Sequence, residues 1–172
     1  MSKKYHNHLT EHNDLSKTQE SLAVVAAMTD ALGANADDMH TYFTDDFRWM
    51  GNYGCGTKNG LEAFRNNWQL PLRAAFTDRV YCDEARVAQG EWVSALGFIE
   101  ATHSGTFMGI PATGKRVIIK YMDFWHVKEK RIADNWVSVD FPYILAQLGV
   151  DVFNGEGWEA YDKGEKVPAK PE

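Results

Sequence analysis

One carboxylate, Asp123, interrupts a run of β-branched and aromatic residues, Val117 to Trp125, that otherwise has the pattern of a core strand. Moving an ionised carboxylate out of water is costly unless it is paired, so this group either faces solvent or has a raised pKa. A raised pKa suits a group that takes and returns protons near neutral pH. Asp123 is therefore the first candidate for acid–base chemistry; the alternative is a solvent-facing position or a pair with Lys120 or Arg116.

The strand that follows Asp123 adds an aromatic surface to this candidate. If Glu129 and Lys130 form the centre of a tight turn, Asp123 lies opposite Trp136, to within one residue of register. Tyr121 shares the face of Asp123, because side chains two residues apart on a strand point the same way. An aromatic face with isolated polar groups suits an apolar ligand held by a few hydrogen bonds.

His103 is the second candidate, because a turn at residues 111–114 brings its strand beside that of Asp123. A lone strand histidine is more often a hydrogen-bonded structural residue, so both readings stay open. A Ser-His-Asp nucleophile is not favoured: the sequence has no Gly-x-Ser-x-Gly elbow, and Ser104 points to the opposite face of any strand that holds His103.

Other kinds of site have weaker support. Three histidines fall within the first 12 residues, but no carboxylate or cysteine cluster completes a metal site there. The glycine loop at residues 54–60 has Asn59 where a dinucleotide fingerprint needs glycine, so it is better read as a turn that brings Asn52 and Tyr53 close to a ligand. Cys55 and Cys82 match neither zinc-ligand nor redox spacing. We expect no metal and no cofactor.

Composition limits the partners. A formal net charge of −6 argues against nucleic acid and anionic membranes, which attract clustered Lys and Arg. The amino terminus lacks the apolar segment of a secretory signal, and no apolar run approaches the length needed to cross a membrane. We therefore expect a cytoplasmic protein that acts on a small molecule.

The order of the elements predicts an α+β fold. Helices are expected at residues 16–33, 37–43 and 61–75, the last interrupted by Pro71, with a short strand at residues 47–51 between the second and the third. Strands follow at residues 79–87, 91–107, 115–127 and 131–139, and a short helix at 141–148 closes the unit. Helices followed by a meander indicate α+β rather than alternating βαβ. The predicted organisation is a flexible tail (1–15), one domain (16–150) and a carboxyl-terminal extension (151–172).

Four segments carry a resemblance to a known family. They are Thr102 to Lys115, Tyr121 to Trp125, Ile132 to Trp136, and Asp140 to Gly149. In order and spacing, across residues 16–150, they resemble the SnoaL-like polyketide cyclases of the nuclear transport factor 2-like superfamily. One departure is Asn135 before Trp136, where many relatives have His-Trp.

The resemblance implies a cone-shaped α+β barrel, in which a curved antiparallel sheet wraps a deep apolar pocket closed by helices. It also implies a homodimer and cofactor-free acid–base catalysis, as in a lyase or isomerase. Asp123 matches the catalytic aspartate, and His103 matches a motif histidine expected to line the same cavity. The residues expected to bind substrate are Trp49, Asn52, Tyr53, Trp68, Phe107, Tyr121 and Trp136.

The leading hypothesis is an enzyme that closes a ring by intramolecular aldol condensation in a small, apolar, carbonyl-rich substrate. Asp123 would remove a proton next to a carbonyl, and His103 or Asn52 would stabilise the enolate. The alternatives are a non-catalytic ligand-binding protein of the same fold, and a hydratase or steroid-type isomerase that uses the same aspartate. The titration of Asp123 separates enzyme from binder, because a raised pKa in a closed cavity favours the enzyme.

Overall fold

The computed structural model describes residues 14–36 and 39–169. Helix α1 (Leu15–Gly33) begins at Asp14, whose carboxylate accepts a hydrogen bond of 3.1 Å from the backbone N–H of Lys17. It ends at Gly33, the last residue of the predicted helix. The predicted tail covers residues 1–15; residues 1–13, with their three histidines, lie outside the described part, while Asp14 and Leu15 already form the cap and first turn of α1.

The second helix, predicted over residues 37–43, is wrong for the part that is described. Residues 40–42 form a turn, and strand β1 begins at Phe43. The carbonyl of Tyr42 accepts a 2.7 Å hydrogen bond from the N–H of Ile132 on a neighbouring strand. This pairing to the sheet overrides a local helix signal that rested on Asp37 and Asp38, which lie outside the described residues.

Six strands form one curved sheet, against which the helices pack. They are β1 (Phe43–Gly51), β2 (Thr57–Asn59), β3 (Phe76–Gln89), β4 (Trp92–His103), β5 (Arg116–Lys128) and β6 (Arg131–Val139). Their order across the sheet is β2-β1-β6-β5-β4-β3, antiparallel throughout except for the parallel pair β1–β6. The predicted α+β class with its late meander is confirmed, and β2 lies inside the stretch predicted as a glycine loop.

The helical stretch between β2 and β3 is continuous but irregular. It consists of α2 (Leu61–Phe64), a π-helical turn (Arg65–Gln69) and α3 (Leu70–Ala75). Pro71 stands in the first turn of α3. Proline has no N–H and its ring clashes with the carbonyl four residues earlier, so the wider π turn before it relieves that clash. The interruption expected at Pro71 therefore takes the form of a π turn rather than a break.

The β5–β6 hairpin contains the irregularity that matters most for the site. Glu129 and Lys130 form its turn with positive φ angles of 47° and 62°, as a tight primed turn requires. A register shift follows at once, because His126 pairs with Asp134 although Val127 pairs with Ile132. This one-residue bulge places Val137, not Trp136, opposite Asp123.

The carboxyl-terminal part packs against the outer end of β5. Helix α4 (Phe141–Gln147) begins at Asp140, which accepts a 3.0 Å hydrogen bond from the N–H of Tyr143. Gln147 then bonds both backbone groups of Ile118 at 2.8 Å, which covers an edge of β5 that β6 leaves unpaired. The extension after α4 contains α5 (Glu159–Asp162). Within the described residues, no helix is long and apolar enough to span a membrane.

Gly105, two residues after β4, lies in close contact with the end of α3. Its N–H donates to the carbonyl of Ala75, and a Cβ added to it would lie 2.0 Å from the carbonyl oxygen of Ala74. We expect Gly105→Ala to lower the free energy of unfolding by at least about 2 kcal/mol, because the backbone must move. Gly33→Ala is the matched control, since its Cβ would meet only Tyr81 at 3.9 Å. Equal urea midpoints for the two variants would contradict this account.

Candidate active site

A cavity of about 320 Å³ lies between the concave face of the sheet and the helices that cover it. Its walls are mainly apolar and aromatic, which is typical of a site for a small organic ligand. The aromatic residues that line it are Phe43, Trp49, Phe64, Trp68, Tyr81, Tyr121 and Trp125. The polar residues that line it are Thr29, Asp30, Asp83, Arg86, Asp123 and Asn135. Few polar groups in an apolar cavity give each one a large effect on a bound ligand.

Asp123 lies on the cavity wall near the middle of β5. The residue is half-buried along its strand, but its carboxyl group is enclosed. Burial raises the pKa of Asp123 to about 7, and the hydrogen bond from Asn135 opposes this rise only in part. The charge of Asp83 pushes the pKa further up, and that of Arg86 pulls it down. Both protonation states of Asp123 are therefore populated near neutral pH.

Asn135 is the direct partner of this carboxyl group. Its Nδ2 donates to Oδ1 of Asp123 at 2.9 Å, and to the carbonyls of Phe124 and Trp136 at 3.3 Å. The bulge in β6 is what turns Asn135 inward, because a one-residue shift of register exchanges the two faces of a strand. Asn135 also pairs in register with Trp49 on β1, so the aromatic floor and the aspartate's partner are positioned together.

A second polar group of residues lies on the β3 side of the cavity. The hydroxyl of Tyr121 donates to Oδ1 of Asp83 at 2.6 Å, and Arg86 pairs with Oδ2 of Asp83 at 2.5 Å. Burial, with the hydrogen bond to Asp83 and the nearby carboxylates, raises the pKa of Tyr121 well above its usual range. Tyr121 is therefore a neutral phenol at any physiological pH.

The structure brings four of the nine sequence-predicted site residues to the cavity wall: Trp49, Trp68, Tyr121 and Asp123. These residues are far apart in the sequence, but β1, the helical stretch and β5 bring them to the wall of the same cavity. The aromatic rings of Trp49 and Trp68 lie 4.4 Å apart and form one continuous surface. Contact between these residues and a substrate is part of the proposal below.

The other five lie outside the cavity lining. His103 is fully buried in β4, where its Nδ1 lies 3.0 Å from Oγ1 of Thr113 and its ring lies 5.5 Å from that of Phe76. Phe107 packs in the same region, with its ring 5.0 Å from that of Phe76. A role of His103 in catalysis, or of Phe107 in binding, stays a prediction that the cavity geometry does not support.

The remaining three predicted residues also lie away from the cavity lining: Asn52, Tyr53 and Trp136. Asn52 binds the end of β6, accepting from the N–H of Val139 at 3.0 Å and donating to its carbonyl at 3.1 Å. Tyr53 is fully exposed in the loop after β1. Trp136 lies on the outer face of the sheet, because the bulge moves it away from Asp123. The glycine loop thus fixes the sheet rather than reaching the cavity.

Two functional candidates, Asp83 and Arg86, were missed from the sequence, and Asn135 was identified only as a departure from the His-Trp of many relatives. The signal for Asn135 was its place beside Trp136 in a family segment, but the bulge that turns it inward has no sequence mark. Asp83 and Arg86 sit in a strand whose pattern gives no hint of a cavity. Among the described residues, no group of three or more His, Cys, Asp or Glu side chains is arranged to hold a metal ion.

Comparison with known proteins places these features in context. Over 88 residues the chain is 28% identical to the aklanonic acid methyl ester cyclase DnrD of Streptomyces peucetius. The match covers 51% of this chain and 61% of that enzyme, so the chain spans less than two thirds of its relative. A second such cyclase, DauD of Streptomyces sp. (strain C5), is also 28% identical, with 55% of its length covered.

Solved structures share the fold over most of the chain. A SnoaL-like polyketide cyclase from Agrobacterium tumefaciens has a TM-score of 0.62 and 25% identity, covering 75% of this chain and 98% of that one. IdmH, a putative polyketide cyclase from Streptomyces antibioticus, has a TM-score of 0.67 and 23% identity, covering 76% and 99%. The family model described as SnoaL-like polyketide cyclase matches residues 23–148. This chain therefore belongs to the SnoaL-like polyketide cyclase family, with its nuclear transport factor 2-like fold.

Proposed function

We propose that this protein is a cofactor-free cyclase that closes a ring by intramolecular aldol reaction in a small, largely apolar substrate with several carbonyl groups. The observation that carries the proposal is the enclosed carboxyl group of Asp123, whose pKa is raised to about 7 on the wall of an aromatic cavity. A general acid–base group works best when its pKa lies near the working pH. Membership of a family described as polyketide cyclases supports the same reaction class.

The proton balance of the reaction needs one group that both takes and returns a proton. Oδ1 of Asp123 accepts from Asn135, and in the described part of the chain no protein donor is bonded to Oδ2, so the proposal assigns the proton transfer to Oδ2. As a carboxylate, Asp123 removes the proton from a carbon next to a carbonyl. The carbanion attacks a second carbonyl of the same molecule, and the resulting alkoxide takes the proton back from Asp123. Charge and protons are then restored.

The negative charge that builds up on substrate oxygens needs stabilising donors within the cavity. His103 and Asn52, the donors proposed from sequence, lie outside the lining. Arg86 is the only cation among the described residues that line the cavity. Its charge is shared with Asp83, so it supplies a local hydrogen-bond donor and dipole rather than a free positive charge.

The aromatic walls supply the other part of the rate enhancement. Trp49 and Trp68 form an extended surface, and Phe64 lies 6.0 Å from the ring of Trp49. A flexible substrate that folds against such walls loses its conformational freedom on binding, not at the transition state. Holding both reacting ends in one enclosed cavity therefore lowers the entropic part of the barrier.

Replacement of Asp123 tests the proposal directly. We expect Asp123→Asn to lower kcat at least 100-fold with little change in KM, because the proton acceptor is lost while the cavity keeps its shape. Aklanonic acid methyl ester, the substrate in the names of two relatives, and smaller 1,5-dicarbonyl compounds are suitable probes, with ring closure followed by chromatography. Glu84→Gln is the matched control, since Glu84 is exposed and the variant loses the same charge. Equal rates for wild type and Asp123→Asn would reject the role and favour a binding protein of this fold.

The stability of the protein should depend on pH through the same group. The folded state holds a proton on Asp123 up to about pH 7, while the unfolded chain releases it near its ordinary value of 3.8. Between these values the folded state binds more protons, so stability falls as pH rises, by at most about 4 kcal/mol. The free energy of unfolding of Asp123→Asn, minus that of wild type, should rise with pH across that window and become constant above about pH 8.

Urea unfolding at about pH 4.5, 6 and 8 measures this difference. Asp45→Asn is the control, because the Asp45 side chain is 93% exposed and the variant loses the same charge at an exposed position. If the free energies of unfolding of wild type and Asp123→Asn differ by the same amount from pH 4.5 to 8, the carboxyl group of Asp123 is solvated rather than buried.

The homodimer implied by the family resemblance is also a proposal. The outer face of the sheet exposes Leu96 (41%), Met122 (64%) and Phe124 (54%) on adjacent strands, beside Trp136. A contiguous apolar patch of this kind is typical of an interface. We expect light scattering to give a dimer for wild type and a monomer for Phe124→Lys, with Tyr53→Lys, a change of a fully exposed residue elsewhere, keeping the wild-type mass.

A further inference from the structure

The β3 wall of the cavity contains a chain of hydrogen bonds with a fixed direction. Tyr121 donates its hydroxyl hydrogen to Asp83, and Arg86 donates to the other oxygen of the same carboxylate. Arg86 also donates to Oγ1 of Thr29 at 3.4 Å, while the Thr29 hydroxyl donates to the carbonyl of Ala26 at 2.9 Å. The hydroxyl hydrogens of Tyr121 and Thr29 are therefore committed to protein acceptors.

Two backbone features build this arrangement. Residues three apart on a regular strand face opposite ways, but a register shift between Asp83 and Ala85 lets both Asp83 and Arg86 face the cavity. Gly97 pairs with Asp83 on one side and with Tyr121 on the other. A Cβ on Gly97 would lie 2.9 Å from the Tyr121 hydroxyl oxygen and 2.9 Å from Cα of Asp83. The missing side chain is what lets Tyr121 reach across β4 to Asp83.

The hydrogen-bond donors and acceptors that stay free on this wall determine which ligand groups it can bind. A hydroxyl group has one hydrogen and two lone pairs, so a hydroxyl that has already donated can only accept. Carboxylates also only accept, and Asp30 adds a further one to the lining. Arg86 already donates through Nη2 to Asp83 and Thr29, and its Nε is buried, so its remaining donor is Nη1. The β3 wall is therefore rich in acceptors, and its fixed hydroxyl is that of Tyr121.

We propose that the Tyr121 hydroxyl, held by the Asp83–Arg86 ion pair, is a hydrogen-bond acceptor that selects ligands bearing a free hydroxyl group, phenolic or enolic, at this end of the cavity. Tyr121 and Asp123 face the same way, two residues apart on β5, with Cα atoms about 7 Å from each other. A ligand bonded to Tyr121 is thereby orientated with a different part of its skeleton at Asp123. Asp83 and Arg86 are positioning residues, since they act through Tyr121.

This selection concerns the same cavity as the proposed function, and its part in turnover rests on that function. The ligand preference itself does not, because binding alone measures it. The probes are 2-naphthol, which carries a hydroxyl, and 2-methoxynaphthalene, which has the same rings but cannot donate. NMR titration of the indole N–H signals of Trp49, Trp68 and Trp125, which line the cavity, gives both dissociation constants.

Wild type is expected to bind 2-naphthol about three- to tenfold more tightly than 2-methoxynaphthalene, the range of one net hydrogen bond. Tyr121→Phe should bring the ratio of the two dissociation constants to within about twofold of one, because it removes the accepting hydroxyl. The double variant Tyr121→Phe/Asp83→Ala, which also removes the Asp83 oxygen left without its donor, should give the same ratio. Asp83→Ala should lower the ratio in another way: it removes the acceptor of the Tyr121 hydrogen and frees the hydroxyl to donate, so the methoxy compound binds more tightly than to wild type. Glu84→Gln, the adjacent exposed carboxylate, should keep the wild-type ratio.

Several outcomes would overturn the inference. A wild-type ratio near one, or a lack of any indole shift with 2-naphthol, removes the acceptor site. A preference that survives Tyr121→Phe but is lost in Asp123→Asn assigns the hydroxyl to Asp123 instead. The two proposals fail separately. If turnover needs Asp123 but the ratio of dissociation constants is the same in Tyr121→Phe as in wild type, the proposed enzyme stands and the selection by Tyr121 is rejected. If Tyr121→Phe changes the ratio but turnover does not depend on Asp123, the selection stands and the proposed enzyme is rejected.

Discussion

The desolvation of the Asp123 carboxyl group is the constraint on which the rest of the site depends. Burial raises its pKa to about 7, and its direct partner, Asn135, is a neutral amide that opposes the rise only in part. A cation at the same distance would lower the pKa of an aspartate by about 1–3 units and keep it ionised at neutral pH. A neutral donor orientates the carboxyl group and leaves it able to exchange a proton. The choice of amide over cation is therefore what keeps acid–base chemistry within reach of Asp123.

The Asp83–Arg86 pair shows how the cavity can hold charged residues without disturbing that balance. Asp83 pushes the pKa of Asp123 up and Arg86 pulls it down, and both effects rank below burial. Because the two charges lie within 2.5 Å of each other, the field at Asp123 is that of a small dipole rather than of an ion. Burial thus sets the proton affinity of Asp123, while the ion pair fixes the direction of the Tyr121 hydroxyl.

Much of the framework follows from local sequence. Helix α1 begins at a capping aspartate and ends at residue 33 as predicted, and β6 spans the predicted residues, because capping, turn chemistry and alternation are short-range effects. Asp123 was also identifiable, since a lone carboxylate in an apolar strand has few explanations. The helix expected at residues 37–43 fails in its described part for the opposite reason: a hydrogen bond from Ile132, about 90 positions away, decides the conformation of Tyr42.

The rest of the site depends on irregularities that alternation cannot reveal. The bulge in β6 exchanges Trp136 for Asn135 on the cavity face, and the bulge in β3 brings Asp83 and Arg86 to one side. Each shifts register by a single residue, so a prediction correct to within one residue still assigns the wrong side chains to the site. Both polar groups of the cavity, Asn135 at Asp123 and the Asp83–Arg86 pair at Tyr121, follow directly after such a bulge or flank it. Asp123 and Tyr121 come from regular pairing and Trp68 from the helical stretch, whereas Asn135, Asp83 and Arg86 reach the cavity beside places where pairing is broken.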